Sequence, residues 1–191
     1  MTSAPLLYFD LASPYGYLAV ERAPAVLPEP PELEPILLGA IFKLRGSGSW
    51  AHTSSRQLRM AELAARVRHY GLPPLVWPAD WPADALAAMR AATWAKEAGR
   101  VAEFAQAVYR AEFVRGQDPA DVGLLAACAE AVGLDPDALR HAIQDQTIKD
   151  KLRQATTAAW TAGVRGVPTL LANGILYYGD DQLELAAEAK R

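Results

Sequence analysis

Strand-like patterning in this chain is confined to its two ends, and that distribution narrows the fold more than any other feature. Near the N-terminus, Leu6-Leu-Tyr-Phe9 is a continuous apolar run of the kind a buried strand shows. Near the C-terminus, Gly163-Val-Arg-Gly-Val-Pro-Thr-Leu-Leu171 and Ile175-Leu-Tyr-Tyr178 flank Asn173-Gly174. Two apolar runs around Asn-Gly are the strongest short-range hairpin signal a sequence carries. Between about 53 and 145 every readable segment has helical spacing, and β-branched alternation is absent. Met60, Leu63, Ala64 and Val67 share one helical face, and Val101, Phe104, Ala105 and Val108 repeat the pattern. Asp118-Pro119 and Asp135-Pro136 read as N-cap and N1 pairs, with Gly71 and Gly133 as helix stops.

The first forty residues read as a βαβ unit. After the apolar run, Ser13-Pro14 fits a helix start, with serine as N-cap and proline at N1, where its missing N–H costs nothing. Apolar residues at 19, 20, 23, 26 and 27 keep the helical period. Five prolines between 24 and 35 predict the end of the helix and an irregular crossover, and Ile36-Leu-Leu-Gly-Ala-Ile-Phe42 reads as a second buried strand. Gly46-Ser-Gly-Ser49 is a flexible loop. Helical spacing resumes at Thr147, Ile148, Leu152, Ala155 and Ala159, and a last helix starts near Asp180-Asp181. The order βαβ, helical block, α, ββ, α divides the chain into an α/β domain from 1–52 and 146–191 and an inserted all-helical domain from 53–145. A tandem Trp77-Pro-Ala-Asp, Trp81-Pro-Ala-Asp interrupts that block. It reads as a loop before a helix capped near Asp84, and either as a packed tryptophan loop or as an aromatic wall over a pocket.

Composition removes several function classes. The chain has 191 residues, 51% hydrophobic and 21% charged, so it can bury a core and is not a disordered polymer. A formal charge of -3 leaves no basic footprint for nucleic acid. The lone Cys128, on an alanine-rich helical face, rules out an internal disulfide, a CxxC pair and a multi-cysteine zinc site. His52, His69 and His141 form no HxH or HxxxH pair, so no metal site is expected. His52 lies near the glycine loop and could approach a site there, or simply be an exposed loop residue. No secretory signal or apolar run of membrane-spanning length is visible, and the expectation is a cytoplasmic protein that does not engage membranes.

Four segments carry a resemblance. They are Tyr8-Phe-Asp-Leu-Ala-Ser-Pro-Tyr-Gly-Tyr-Leu-Ala19, Leu38-Gly-Ala-Ile-Phe-Lys43, Gly166-Val-Pro-Thr169 and Tyr178-Gly-Asp-Asp181. Trp81-Pro82 and Ala88-Met-Arg90 extend it weakly into the insertion. Together they resemble the 2-hydroxychromene-2-carboxylate isomerases and kappa-class glutathione transferases, proteins of the DsbA-like thioredoxin fold. The combination of Ser-Pro-Tyr after a strand with a distant Gly-Val-Pro-Thr is what makes the match specific. Ser13-Pro14-Tyr15-Gly16 occupies the position of the DsbA CxxC, so dithiol exchange has no sulfur to use.

The resemblance implies a glutathione-dependent isomerase acting on an aromatic-derived small molecule, with a kappa-type transferase or a non-catalytic thioredoxin-fold binding protein as alternatives. Ser13, at a helix N-terminus, would donate its hydroxyl to the thiolate of glutathione or another low-molecular-weight thiol, which the helix dipole also favours. On the local sequence alone Ser13 reads first as a plain N-cap, and it is Gly-Val-Pro-Thr and the terminal motif that turn the reading toward a thiol site. Val167-Pro168 is implied to be cis and to present its backbone to the cysteinyl residue of the thiol. Asp180 and Asp181 are implied to be thiol-binding residues, with Asp181 holding the γ-glutamyl ammonium while nearby backbone N–H groups hold its carboxylate; both could also cap a helix. Ser47 stands where the family has asparagine, but the basic residue and prolines usual there are replaced by Gly46–Trp50, and Gln182 stands where arginine is common. The substrate pocket is expected between Ser13 and the helical block, lined by Tyr15, Trp50 and Trp81. A homodimer is implied by the resemblance alone.

Overall fold

The computed structural model describes residues 4–189. Strand β1 (Leu6–Phe9) leads into α1 (Pro14–Val26), and the chain returns through β2 (Glu32–Pro35) to α2 (Leu38–Arg45). A 3-10 turn at Trp50–His52 precedes α3 (Arg56–His69), α4 (Leu86–Glu97), α5 (Val101–Phe113), α6 (Val122–Ala131), α7 (Pro136–Ala142) and α8 (Gln146–Thr161). Then come β3 (Thr169–Ala172), β4 (Ile175–Tyr178), a 3-10 turn at Asp180–Gln182 and α9 (Leu183–Glu188).

The sheet order is β2-β1-β3-β4, with β1 parallel to β2 and antiparallel to β3. This is the thioredoxin arrangement with a helical insertion, as the sequence led us to expect. The hairpin falls at Asn173-Gly174, whose φ values of 52° and 76° give the paired positive dihedrals of a type I′ turn. Because β1 is central, it is buried on both faces. Leu7 and Phe9 point into a large core shared with Tyr17, Met89, Phe104 and Tyr109, while Tyr8 joins Ile36, Ile41, Val164 and Val167 on the opposite face.

Two sequence expectations need correction. The second strand is not Ile36–Phe42 but Glu32–Pro35, within the proline-rich stretch, and residues 38–45 are helical. Pro31 and Pro35 are tolerated because β2 is an edge strand that, among the described residues, lacks a partner on its outer side. The apolar run that follows also fits a helix: Leu38, Ile41 and Phe42 lie on one helical face, and periodicity alone does not separate short runs. Tertiary contacts decide it, since Leu37 N–H donates to Thr156 Oγ1 (3.0 Å) and Leu38 N–H to Asp10 Oδ2 (2.7 Å). Nor does Asp118-Pro119 open a helix. Asp118 accepts the Ala120 N–H in a local turn, and Asp121 is the N-cap of α6 through Gly123 N–H (2.7 Å).

Candidate functional site

The turn from β1 into α1 is tied down by one buried carboxylate. Asp10 Oδ1 accepts the Ala12 N–H (2.9 Å) and Oδ2 the Leu38 N–H, which fixes the start of α2 beside the start of α1. The Asp10 carbonyl accepts the Ser13 N–H (2.9 Å) and the Tyr109 hydroxyl (2.8 Å). Tyr109 then leaves no space at Gly16, where a Cβ would collide with its hydroxyl. The Asp10 carboxyl is pushed up to about 6 overall: burial raises it most, its two N–H donors oppose the rise, and the Asp84 charge adds to it.

Ser13 is the N-cap of α1 and Pro14 its first helical residue, as expected. Ser13 Oγ accepts the Gly16 N–H (3.1 Å), which leaves its own proton available to a ligand. The residue is only 4% exposed, yet it borders two cavities.

The first cavity has a volume of about 410 Å³. Ser13, Tyr15, Ser47, Trp50, Val167, Pro168, Asp180 and Asp181 all line it. Val167-Pro168 is cis, as the resemblance implied. The loop is braced by Thr169 Oγ1 donating to Gly166 C=O (2.7 Å) and Gly179 N–H to Pro168 C=O (3.0 Å). Val167 N–H and C=O have no hydrogen-bond partner among the described residues, so an extended ligand could pair with them.

The outer wall comes from α3, which docks through buried Leu63 and Val67. Arg66 donates to Asp180 Oδ1 (2.8 Å), Glu62 Oε1 (2.8 Å) and Asp181 Oδ2 (3.3 Å), and Arg59 donates to Glu62 Oε2 (3.0 Å). Partial burial acts to lower the Arg66 pKa, but Asp180, Asp181 and Glu62 outweigh it and hold the guanidinium charged. Asp180 is fully buried. Burial raises its pKa, which Arg66, the Tyr70 hydroxyl and Arg22 (4.0 Å) oppose. Asp181 is half exposed and faces the cavity more freely. Arg45, at the end of α2, also lines the cavity and donates to Arg165 C=O (2.7 Å).

The second cavity, about 380 Å³, lies on the other side of Ser13 and shares Leu38, Phe42 and Trp50 with the first. Trp81 joins this one rather than the first, with its ring 5.2 Å from Trp50 and 4.5 Å from Trp77. Both readings of the tryptophan loop therefore hold, because Trp81 is 4% exposed and also forms a cavity wall. His52 and Asp84 are exposed members of this lining, and Asp10 is a buried one. Cys128 is buried core filler. Among the described residues, no group of three or more His, Cys, Asp or Glu is placed to hold a metal, and no helix is long and apolar enough to cross a membrane.

Sequence reasoning missed the charged wall and both acidic residues of the second cavity. Arg59, Glu62 and Arg66 are spaced three and four apart, which puts them on one helical face and was a readable signal. Asp10 and Asp84 carried none, since a single aspartate near a helix start reads as a cap.

The sequence profile of the family described as DSBA-like thioredoxin domain matches residues 6–190. The chain is 29% identical to the 2-hydroxychromene-2-carboxylate isomerase of Sphingobium xenophagum over 96% of each protein. It is 27% identical to the enzyme of the same name from Pseudomonas putida, over 95% of this chain and 91% of that one. A solved structure of a 2-hydroxychromene-2-carboxylate isomerase superposes with a TM-score of 0.87 at 23% identity, covering 98% of this chain and 94% of the other.

Proposed function

This chain belongs to the DSBA-like thioredoxin domain family, and from that premise we propose that it is a glutathione-dependent isomerase of the 2-hydroxychromene-2-carboxylate isomerase type. The observation that carries this reading is the Ser13 hydroxyl, held at the N-terminus of α1 with its proton free, at the junction of two cavities. Dithiol chemistry has no sulfur in Ser13-Pro14-Tyr15-Gly16, and relatives 29% and 27% identical over nearly the whole chain are named isomerases.

The residues of the first cavity fit a zwitterionic peptide thiol. Val167 offers an unpaired backbone edge, Asp181 a half-exposed carboxylate for an ammonium, and Arg45 a guanidinium for a carboxylate. A thiol bound there supplies a soft nucleophilic sulfur that adds reversibly to an electrophilic carbon. Ser13 donates its hydroxyl hydrogen toward that sulfur. The Tyr15 N–H, at the second helical position, has no intrahelical acceptor and adds to the field favouring an anion. Tyr15 itself stays a neutral donor, because burial and the nearby Glu62 raise its pKa. Trp50 and Trp81 hold an aromatic substrate in the second cavity and exclude water.

Titration calorimetry with glutathione is the first test, followed by isomerisation assays in which free thiol is counted. Saturable binding and constant free thiol are expected. Stoichiometric loss of thiol with turnover would identify a transferase, and absence of any heat would mean a non-catalytic fold.

A further inference from the structure

Resting on the reading above, we infer that His52 receives the substrate carboxylate in the second cavity and thereby sets this chain's preference for an anionic aromatic substrate.

A substrate of the type proposed carries a carboxylate on an aromatic frame, and a carboxylate leaving water needs a cation or hydrogen-bond donors. The arginines of the first cavity are engaged there: Arg66 with three carboxylates, Arg59 with Glu62, and Arg45 with the Arg165 C=O. No arginine or lysine lines the second cavity among the described residues. The loop after α2, Gly46-Ser-Gly-Ser49, adds none. In that lining His52 is the one side chain able to take a positive charge.

The fold ties this histidine to the cavity. Trp50–His52 is a 3-10 turn in which Ser49 Oγ accepts the Ala51 N–H (3.2 Å). Thr53 closes it, its N–H and its hydroxyl both donating to the Trp50 C=O (3.0 and 2.9 Å). Ala51 is buried and anchors the turn. Trp50 and His52 therefore line the same space as Ser13 and Trp81, and a ring held by the two indoles has Ser13 and His52 in its surroundings. His52 is exposed, and its imidazole makes no hydrogen bond or ion pair among the described residues, so its nitrogens are open to a ligand. Exposure also lets a bound carboxylate keep part of its water.

The charges around His52 come from three elements. Arg56 and Arg59, with Glu62 a turn further on, belong to α3, which packs against the 3-10 turn. Arg56 also stands over the Trp81 ring at 5.4 Å, a second cation beside this wall. Buried Asp10 and exposed Asp84 are the acidic members of the lining.

Calorimetry with a matched pair of conjugates tests this: S-(4-carboxybenzyl)glutathione against S-benzylglutathione, with glutathione alone as reference, near pH 6 and near pH 8.5. In wild type the carboxylated conjugate should bind about threefold tighter or more near pH 6, the scale of an exposed charge pair. The advantage should shrink near pH 8.5, since an imidazole loses its charge over this range. Asp10, pushed up to about 6, changes charge over the same range, so the part due to His52 is read from variants. His52→Gln should abolish the advantage at both pH values, and His52→Lys should keep it near pH 8.5. Because a ratio is read, a folding defect that weakens both conjugates alike does not mimic the result. Equal binding of the two conjugates to wild type near pH 6, or an advantage that survives His52→Gln, would overturn the inference and leave the thiol reading standing. Failure of glutathione and both conjugates to bind would overturn the thiol reading, and this inference with it.

Discussion

Two buried carboxylates on either side of Ser13 are handled in different ways. Asp180, in the wall of the first cavity, is fully buried but has arginines on two sides, Arg66 at 2.8 Å and Arg22 at 4.0 Å. Asp10, in the wall of the second, accepts hydrogen bonds from backbone N–H groups and has no cationic partner among the described residues. Both have raised pKa values, with burial as the main cause. Asp180 is part of an ion network that α3 brings to the thioredoxin core. Asp10 is part of a backbone clamp that sets where α1 and α2 begin. One side of the site is therefore positioned by charge pairing, the other by main-chain geometry, and Ser13 is where they meet.

Removing a cation from the paired side should have the largest effect. Arg66→Met leaves Asp180 buried with the Tyr70 hydroxyl and the longer contact to Arg22. We expect a loss of about 3 kcal/mol in urea denaturation at pH 7, toward the low end for breaking a buried pair. The deficit should shrink as pH falls, because protonating Asp180 removes the uncompensated charge. A deficit below about 1 kcal/mol would mean that the network acts as a surface cluster.

The unpaired side should show itself in pH dependence. A carboxyl raised from 3.8 to about 6 in the folded state stabilises the fold in its protonated form. That contribution is complete below the unfolded value and is lost as pH rises through about 6. Two units correspond to on the order of 2–3 kcal/mol. Asp10→Asn lacks this titration, although it loses one of the two N–H acceptors. Wild type should therefore lose 2–3 kcal/mol relative to the variant between about pH 4 and pH 7. Parallel stability curves for the two proteins would show that Asp10 does not titrate in this range.

Asp181 gives a smaller and more local test. Asp181→Asn keeps the shape of the 3-10 turn and removes one half-exposed charge. Glutathione affinity should fall by about 1–2 kcal/mol, the scale of a charge-assisted hydrogen bond. Unchanged affinity by calorimetry would leave Asp181 as a partner of Arg66 only.

How much of this was legible in the sequence follows the range of the interactions. Ser13-Pro14 and Asn173-Gly174 encode their structure within a few residues, so the N-cap and the hairpin were readable. Helical periodicity placed α3 and α5 for the same reason. The stretch from Glu32 to Arg45 was misread because its strand is set by an edge position in the sheet. Its helix depends on Asp10 and Thr156, distant in sequence. The serine and the cis-proline loop were found through family resemblance. The arginines of α3 face the site only because Leu63 and Val67 dock against the core, which charge spacing alone does not reveal. Tyr15, Trp50 and Trp81 were expected to line one substrate pocket, but Tyr15 lines the first cavity, Trp81 the second, and Trp50 both.

The central claim is that the Ser13 hydroxyl stabilises a bound thiolate. Ultraviolet titration of glutathione bound to wild type and to Ser13→Ala tests it most directly. Loss of the cap should cost about 1 kcal/mol of stability, so the variant stays folded. In wild type the bound thiol should ionise below the ordinary value near 8.5. In the variant its pKa should rise by about one unit or more, equivalent to about 1.4 kcal/mol, with turnover slowed tenfold or more. Equal thiolate pKa values in the two proteins would contradict the role of Ser13.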